Sequence, residues 1–422
     1  VTLPKGLTTI AKELFKSCYT LEAITIPCTV TSIENGAFRS CTSLTTLIFA
    51  APGKDDKVVP LVIEDAASYD KSPFYGCTKL TNIVFPERMT VLGNYAFAGK
   101  DASGYGQTDI IHAIKSVTFP STLERIGQYA FYMARNLTSV TFADKTVLKD
   151  STSPAIGNYA FAYCTALESI ALPAGDTQKP YSIGESALYR TGLTSVTIPA
   201  GVGALGNRCL YWNEHLTSVT FLSGAKPSFG DSVFDSCYAL PSITLPEGTT
   251  EISPTMFRNC KLLTSITIPS TVTTIGDSAF SDCKALKTIV FSTYENDGKA
   301  YSRVASIGAG AFTSTALTSF EFPTLETGAL TLGKNLFAGC TQLASVTISK
   351  SVGSIDGALA GCSSIKSFTV DPENQNFSAV EGDPILYNKD QTAYRYIVGL
   401  LVGEFRIGDK IKEISANVFE NQ

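Results

Sequence analysis

Residues 263–286 read LTSITIPSTVTTIGDSAFSDCKAL, and residues 21–44 read LEAITIPCTVTSIENGAFRSCTSL. Both fit one frame, L-x-x-[IV]-x-[IF]-P-x-x-V-x-x-I-x-x-x-A-F-x-x-C-x-x-L, whose leading leucine returns after 23 residues. That leucine stands at Leu21, Leu44, Leu80, Leu137, Leu167, Leu193, Leu216, Leu240, Leu263, Leu286, Leu317 and Leu343, with Ile114 and Ile365 as substitutes. Adding degenerate copies at Val1–Pro4 and Val402–Ile407, about sixteen units cover the 422 residues. A period of this size is the mark of stacked supersecondary units rather than of independent globular domains.

Each unit decodes into one coil. Ser265-Ile266-Thr267-Ile268 alternates polar and apolar, the period of a half-buried strand. Pro269 has no N–H and suits the strand's end. Val272 and Ile275 then line a second extended leg, Gly276-Asp277-Ser278 turns the chain, and Ala279-Phe280-x-x-Cys283-x-x-Leu286 has the i, i+3 spacing of a short helical or 3₁₀ piece. One coil cannot bury its own apolar face, so the copies must stack. The expected fold is a repeat solenoid, a right-handed curved superhelix with a parallel β-sheet on the concave face and short helical or 3₁₀ turns on the convex side. Its expected extent is a single domain, 1–422: a partial repeat at 1–20, an irregular hairpin insert at 371–403, and an incomplete final repeat at 404–422. Both ends cut through a repeat, as expected of a fragment or processed form.

Composition narrows the function classes. Charged residues are 17% of the chain and hydrophobic residues 44%, against roughly 25% charged in an ordinary soluble protein. A net charge of −5, with no polybasic run, argues against a nucleic-acid partner. No stretch nears 18 consecutive apolar residues, so no transmembrane helix is read in this chain. Repeat lengths vary, and most added residues enter after the strand, at Ala50–Pro60, Ala143–Ser153, Ala174–Pro180 and Ser292–Arg303. The Gly99–Asp109 loop follows Phe97 and is expected on another side. Inserts on one side of a repeat array often form its binding face.

The frame resembles the BspA-like leucine-rich repeat family of bacterial cell-surface proteins, on the strength of I-P-x-x-V-x-x-I at Ile268–Ile275 and A-F-x-x-C-x-x-L at Ala279–Leu286. The resemblance implies a right-handed curved solenoid, export to the surface of an anaerobic bacterium or secretion, and adhesive or protein-binding roles. The export signal is expected to have been removed.

Chemistry finds little to build on. Nine of the eleven cysteines (Cys18, Cys41, Cys77, Cys164, Cys237, Cys260, Cys283, Cys340 and Cys362) follow the repeat's Phe or Leu by three residues, one structural position seen nine times. They are expected to be buried free thiols acting as small hydrophobes, although neighbouring copies could come within disulfide range. No C-x₂-C pair suggests zinc. Only His112 and His215 carry imidazoles, in different repeats, and no G-x-S-x-G, H-E-x-x-H or P-loop pattern occurs. No cofactor, metal or enzymatic activity is expected.

The outward strand positions form two hydroxyl columns that include Ser195 and Thr197, Ser218 and Thr220, Ser242 and Thr244, and Ser265 and Thr267. The second column departs from this pattern at Ile48, Val84, Ala171, Val290 and Glu321. Such a platform suits an extracellular protein or glycan, though Thr also favours strands and Ser fits a crowded surface. Recognition usually needs aromatic or Arg anchors, and the inserts supply Tyr69, Tyr105, Tyr294, Tyr301 and Arg303. Trp212, the chain's only tryptophan, and His215 sit in a copy whose Phe is replaced by Leu210. The expected function is a monomeric, adhesin-like surface or secreted binding module. The alternative is a passive spacer or scaffold in a larger surface protein.

Overall fold

The structure is a computed structural model that describes residues 1–54, 57–99, 113–150, 152–355, 357–359, 362, 364–381, 383, 385–397, 406–415 and 418. The chain divides into two compact units, Val1–Phe234 and Asp235–Gln422. Each is a parallel β-solenoid.

The coil that begins at Leu263 shows how the repeat folds. Ser265–Ile268 runs parallel to Thr288–Phe291, with Ser265 opposite Thr288 and Ile268 opposite Phe291. Ile266 and Ile268 are buried while Ser265 and Thr267 are exposed, as period-2 alternation requires. Val272 and Ile275 are fully buried on the second leg. There Thr274–Ile275 pairs in parallel with both Glu251–Ile252 and Ser306–Ile307. The second unit therefore carries two ladders, one on each leg of the coil.

The first unit is built the same way. Its first-leg strands pair as Ala23–Ile26 with Thr46–Phe49, as Asn82–Val84 with Ser116–Phe119 and Ser139–Phe142, and as Ser195–Ile198 with Ser218–Phe221. Second-leg strands run in order from Thr9–Ile10 through Ser32–Ile33, Leu61–Ile63 and Met89–Leu92 to Arg125–Ile126. Bridges through Ile156 continue the series to Ile183. Residues 169–172 and 242–245 lie at strand positions of the frame but carry no ladder; Pro241, just before the latter, has no N–H to donate.

The segment that closes each coil differs from the expected helical pieces. Among the described residues the only helix is a 3₁₀ turn at Tyr69–Lys71. The A-F-x-x-C-x-x-L segment is a run of turns whose amides alternate. Ser281 and Cys283 donate three residues back, to Ser278 O and Phe280 O. Ser278, Phe280 and Asp282 instead donate to Ala309, Ala311 and Thr313 of the next coil, at 2.8–2.9 Å. Ser278 (φ 54°) and Asp282 (φ 61°) are left-handed. A helix would keep these amides to itself; here every second one ties two coils together.

Like side chains therefore lie over like. Phenylalanine rings stack from Phe15 through Phe38, Phe74, Phe97 and Phe131 to Phe161 at centroid spacings of 4.7–5.4 Å. In the second unit Phe257, Phe280, Phe312 and Phe337 stack at 5.5–5.8 Å. Close approach of the coils explains the Ile-Gly pairs: a Cβ on Gly308 would lie 2.5 Å from the Asp277 backbone nitrogen. Asp277 Oδ1 in turn accepts the Ala309 N–H at 2.7 Å.

All eleven cysteines are free thiols, and nine are buried. They are more than fillers. Cys41, Cys77, Cys164, Cys283 and Cys340 each donate S–H to the carbonyl of the preceding coil's phenylalanine, at 3.0–3.2 Å. Asn213 fills the same place in the atypical coil, where its Nδ2 donates to Leu188 O and Leu210 O, each at 2.8 Å. Toward the C-terminus, Phe377–Ala379, Ile385–Asn388 and Ala393–Ile397 form an antiparallel meander, and Glu413–Ile414 adds to it in parallel. Phe405 and Phe419, positions where the repeat resumes in the sequence, lie outside the described residues.

Candidate functional site

The Ser292–Arg303 insert folds as a hairpin. Tyr294–Asn296 pairs antiparallel with Lys299–Tyr301, Tyr294 opposite Tyr301. The two residues between them, Asp297 (φ 50°) and Gly298 (φ 72°), are both left-handed. That geometry matches strand twist and is why Asp-Gly suits a two-residue hairpin turn. The Asp-Gly pair was the signal in the sequence that marks this insert as structured.

Side chains fix the hairpin to its own unit. The Arg303 guanidinium lies over the Tyr294 ring, 4.2 Å from its centroid. The Tyr294 hydroxyl donates to Glu326 Oε2 at 2.9 Å, and this bond to a carboxylate raises the phenol's pKa. Lys299 and Lys350 both reach Glu373, each at 3.3 Å, and hold its carboxyl below the usual range. Tyr301 is only 8% exposed. Its ring faces Tyr294 and the Lys350 ammonium, so it supports the hairpin from below. Tyr294 and Arg303 are the presented pair.

A second cluster gathers around Trp212 and His215 in the first unit. Both line a shallow pocket of about 180 Å³ with Arg190, Glu214 and Thr165. Arg190 lies 5.0 Å over the indole, and the indole N–H donates to Glu214. Trp212 ends an aromatic series that the sequence reading missed. Tyr95, Tyr129 and Tyr159 stack at 4.8–4.9 Å, and Tyr163, Tyr189 and Tyr211 follow at 4.9–5.3 Å. The signal was the tyrosine before A-F in three copies, two residues after Phe161, and directly after Leu188 and Leu210.

The remaining candidates are dispersed. Tyr69 belongs to the 3₁₀ turn of the first unit and lies 5.9 Å from Tyr75. Tyr105 falls outside the described residues. The hydroxyls of Ser195, Thr197, Ser218, Thr220, Ser242, Thr244, Ser265 and Thr267 are all at exposed positions. Ser195 is opposite Ser218 and Thr197 opposite Thr220, while Ser242 and Thr244 have no ladder partners. Among the described residues no three His, Cys, Asp or Glu side chains gather in a metal-binding arrangement. No described helix is long and apolar enough to cross a membrane.

Comparison with known proteins places these features in a lineage. The chain matches the family profile described as a BspA type leucine rich repeat region in six stretches, 1–55, 61–104, 110–179, 144–262, 181–299 and 263–380. A search of curated proteins finds no match. A leucine-rich repeat protein from Bacteroides ovatus is 21% identical over 88% of this chain and 91% of that one, with a TM-score of 0.50. One from Eubacterium ventriosum is 24% identical over 75% and 83%, at a TM-score of 0.42. A leucine rich cell surface protein from Faecalibacterium prausnitzii is also 24% identical, over 83% and 88%, at 0.39. The Bacteroides likeness shows a shared fold.

Proposed function

The chain belongs to the BspA-type leucine-rich repeat family, and from that premise we propose a non-enzymatic, adhesin-like binding module, displayed on a cell surface or secreted, that engages an extracellular protein or glycan. The observation that carries this reading is the Ser292–Arg303 hairpin. It presents Tyr294 under the Arg303 guanidinium, and both are residue types that dominate binding energy where they anchor an interface. An insert with no role would have little need of a matched turn, a cation–π pair and contacts from Tyr294, Asn296 and Lys299 to the carboxylates of Glu326 and Glu373. Trp212, His215 and Arg190 make a second candidate contact, and the exposed hydroxyl columns offer hydrogen bonds between such anchors.

The test is binding of the whole chain to a panel of immobilised extracellular-matrix proteins and mucin glycans, beside a variant in which Ser292–Arg303 is replaced by a short loop. The module should show saturable binding to at least one ligand, and the replacement should abolish it without lowering the melting temperature. Binding that survives the replacement would contradict the hairpin's role. One observation favours the passive spacer instead: the hydroxyl columns are nearly uniform, which suits a surface that recognises nothing. Failure to bind any member of the panel would support that reading.

A further inference from the structure

We infer that a groove beside this hairpin receives a lysine or arginine side chain of a protein partner. The inference rests on the binding-module reading and names the partner's chemistry. Three independent features converge on it.

The first is a break in the ladder. Thr288–Phe291 pairs with Ser265–Ile268 on one side, but Ser319–Glu321 of the following coil pairs onward with Ser345–Ile348 and not back to it. Leu286 to Leu317 is 31 residues, longer than the 23-residue frame, and the added chain is the hairpin. The consequence is seen in Ile289 and Phe291, which are half-buried where their counterparts Ile266 and Ile268 are sealed.

The second is the space that opens there. A groove of about 390 Å³ lies between the two strands and the hairpin. Val290, itself 50% exposed, Phe291 and Phe322 supply its apolar wall, and Ala300 and Ser302 contribute from the hairpin side.

The third is charge. Glu321 lines the same groove. It is the only charged residue in either outward column, which elsewhere reads as hydroxyls, small residues, one asparagine and a few aliphatics. It is exposed, and among the described residues its carboxylate has no hydrogen-bond or ion-pair partner. The nearby cations are engaged elsewhere: Lys299 and Lys350 with Glu373, and Arg303 over Tyr294.

An apolar wall ending in an unpaired carboxylate complements a side chain with an aliphatic stem and a cationic head. Lysine and arginine bury such stems along apolar surface while keeping the head on a polar partner. Opposite charge across an interface favours encounter and selects the partner.

The experiment measures binding of a fluorescein-labelled oligolysine peptide to the whole chain at low ionic strength, by fluorescence anisotropy. The native chain should bind, Glu321→Gln should weaken binding about tenfold, and Glu251→Gln, an exposed carboxylate on the other leg, should change it less than about twofold. Far-UV circular dichroism checks that each variant is folded. Equal losses in the two variants would reveal general attraction to an acidic protein and overturn the inference, as would no binding at all. A chitosan oligomer, which carries its ammonium groups on a glycan, is the competing probe. If it binds more tightly than oligolysine with the same dependence on Glu321, the groove belongs to an amino-glycan and the protein reading falls. Panel binding of the Glu321→Gln variant separates the two: if it is kept while hairpin replacement abolishes it, the broader proposal stands though this one fails.

Discussion

Ser278 and Asp282 hold a left-handed backbone that costs an L-residue about 1–2 kcal/mol, yet both positions recur in coil after coil. Some copies avoid the strain with glycine: Gly36, Gly310 and Gly357 stand where Ser278 does, and Gly76 and Gly339 where Asp282 does. The strain persists because this backbone lets the amides of Ser278, Phe280 and Asp282 donate to the neighbouring coil. Ser278→Gly should therefore raise stability by about 0.5–1 kcal/mol, read as a higher urea midpoint, once glycine's extra freedom in the unfolded chain is subtracted. Ser278→Val, a β-branched residue forced into the same conformation, should lower stability by about 2 kcal/mol. A glycine variant less stable than the valine variant would refute this explanation.

At the scale of the element, each coil is two strands joined by a run of turns, and burial decides which changes it feels. Phe280 is fully buried between Phe257 and Phe312, and Ser265 is exposed. Phe280→Ala should cost about 3–5 kcal/mol, while Ser265→Ala should stay within about 0.5 kcal/mol. Equilibrium urea unfolding of the two variants measures this, and the reverse order would mean the strand register is off by one. That register was legible in Ser265-Ile266-Thr267-Ile268 because period-2 alternation is local. The turn run was not legible, because the i, i+3 spacing of Phe280, Cys283 and Leu286 serves a helix and a turn ladder equally. Only the direction of the Phe280 and Asp282 amides separates the two, and that depends on the neighbouring coil. The hairpin could be read from Asp297-Gly298, but the groove could not. It needs the broken pairing between Thr288–Phe291 and Ser319–Glu321, which follows from what the long insert does to the next coil.

Across the molecule, each unit repeats the same contacts, so stability should accumulate from nearest-neighbour terms between coils. The cysteine column reports on this directly. It was legible as a single repeated position, but its donation to the preceding coil's carbonyl was not, since that bond exists only once coils are stacked. Burial pushes the Cys41 thiol up to about 11 and the Cys209 thiol to about 12. Cys18 and Cys28 alone are partly exposed. The decisive measurement is a thiol count on the fully reduced native chain with Ellman's reagent, before and after denaturation. Stacked coils predict two thiols that react promptly and nine that react only on unfolding. Prompt reaction of the column that includes Cys237, Cys260 and Cys283 in the folded chain would contradict the stacking on which the fold and both proposed contact sites depend.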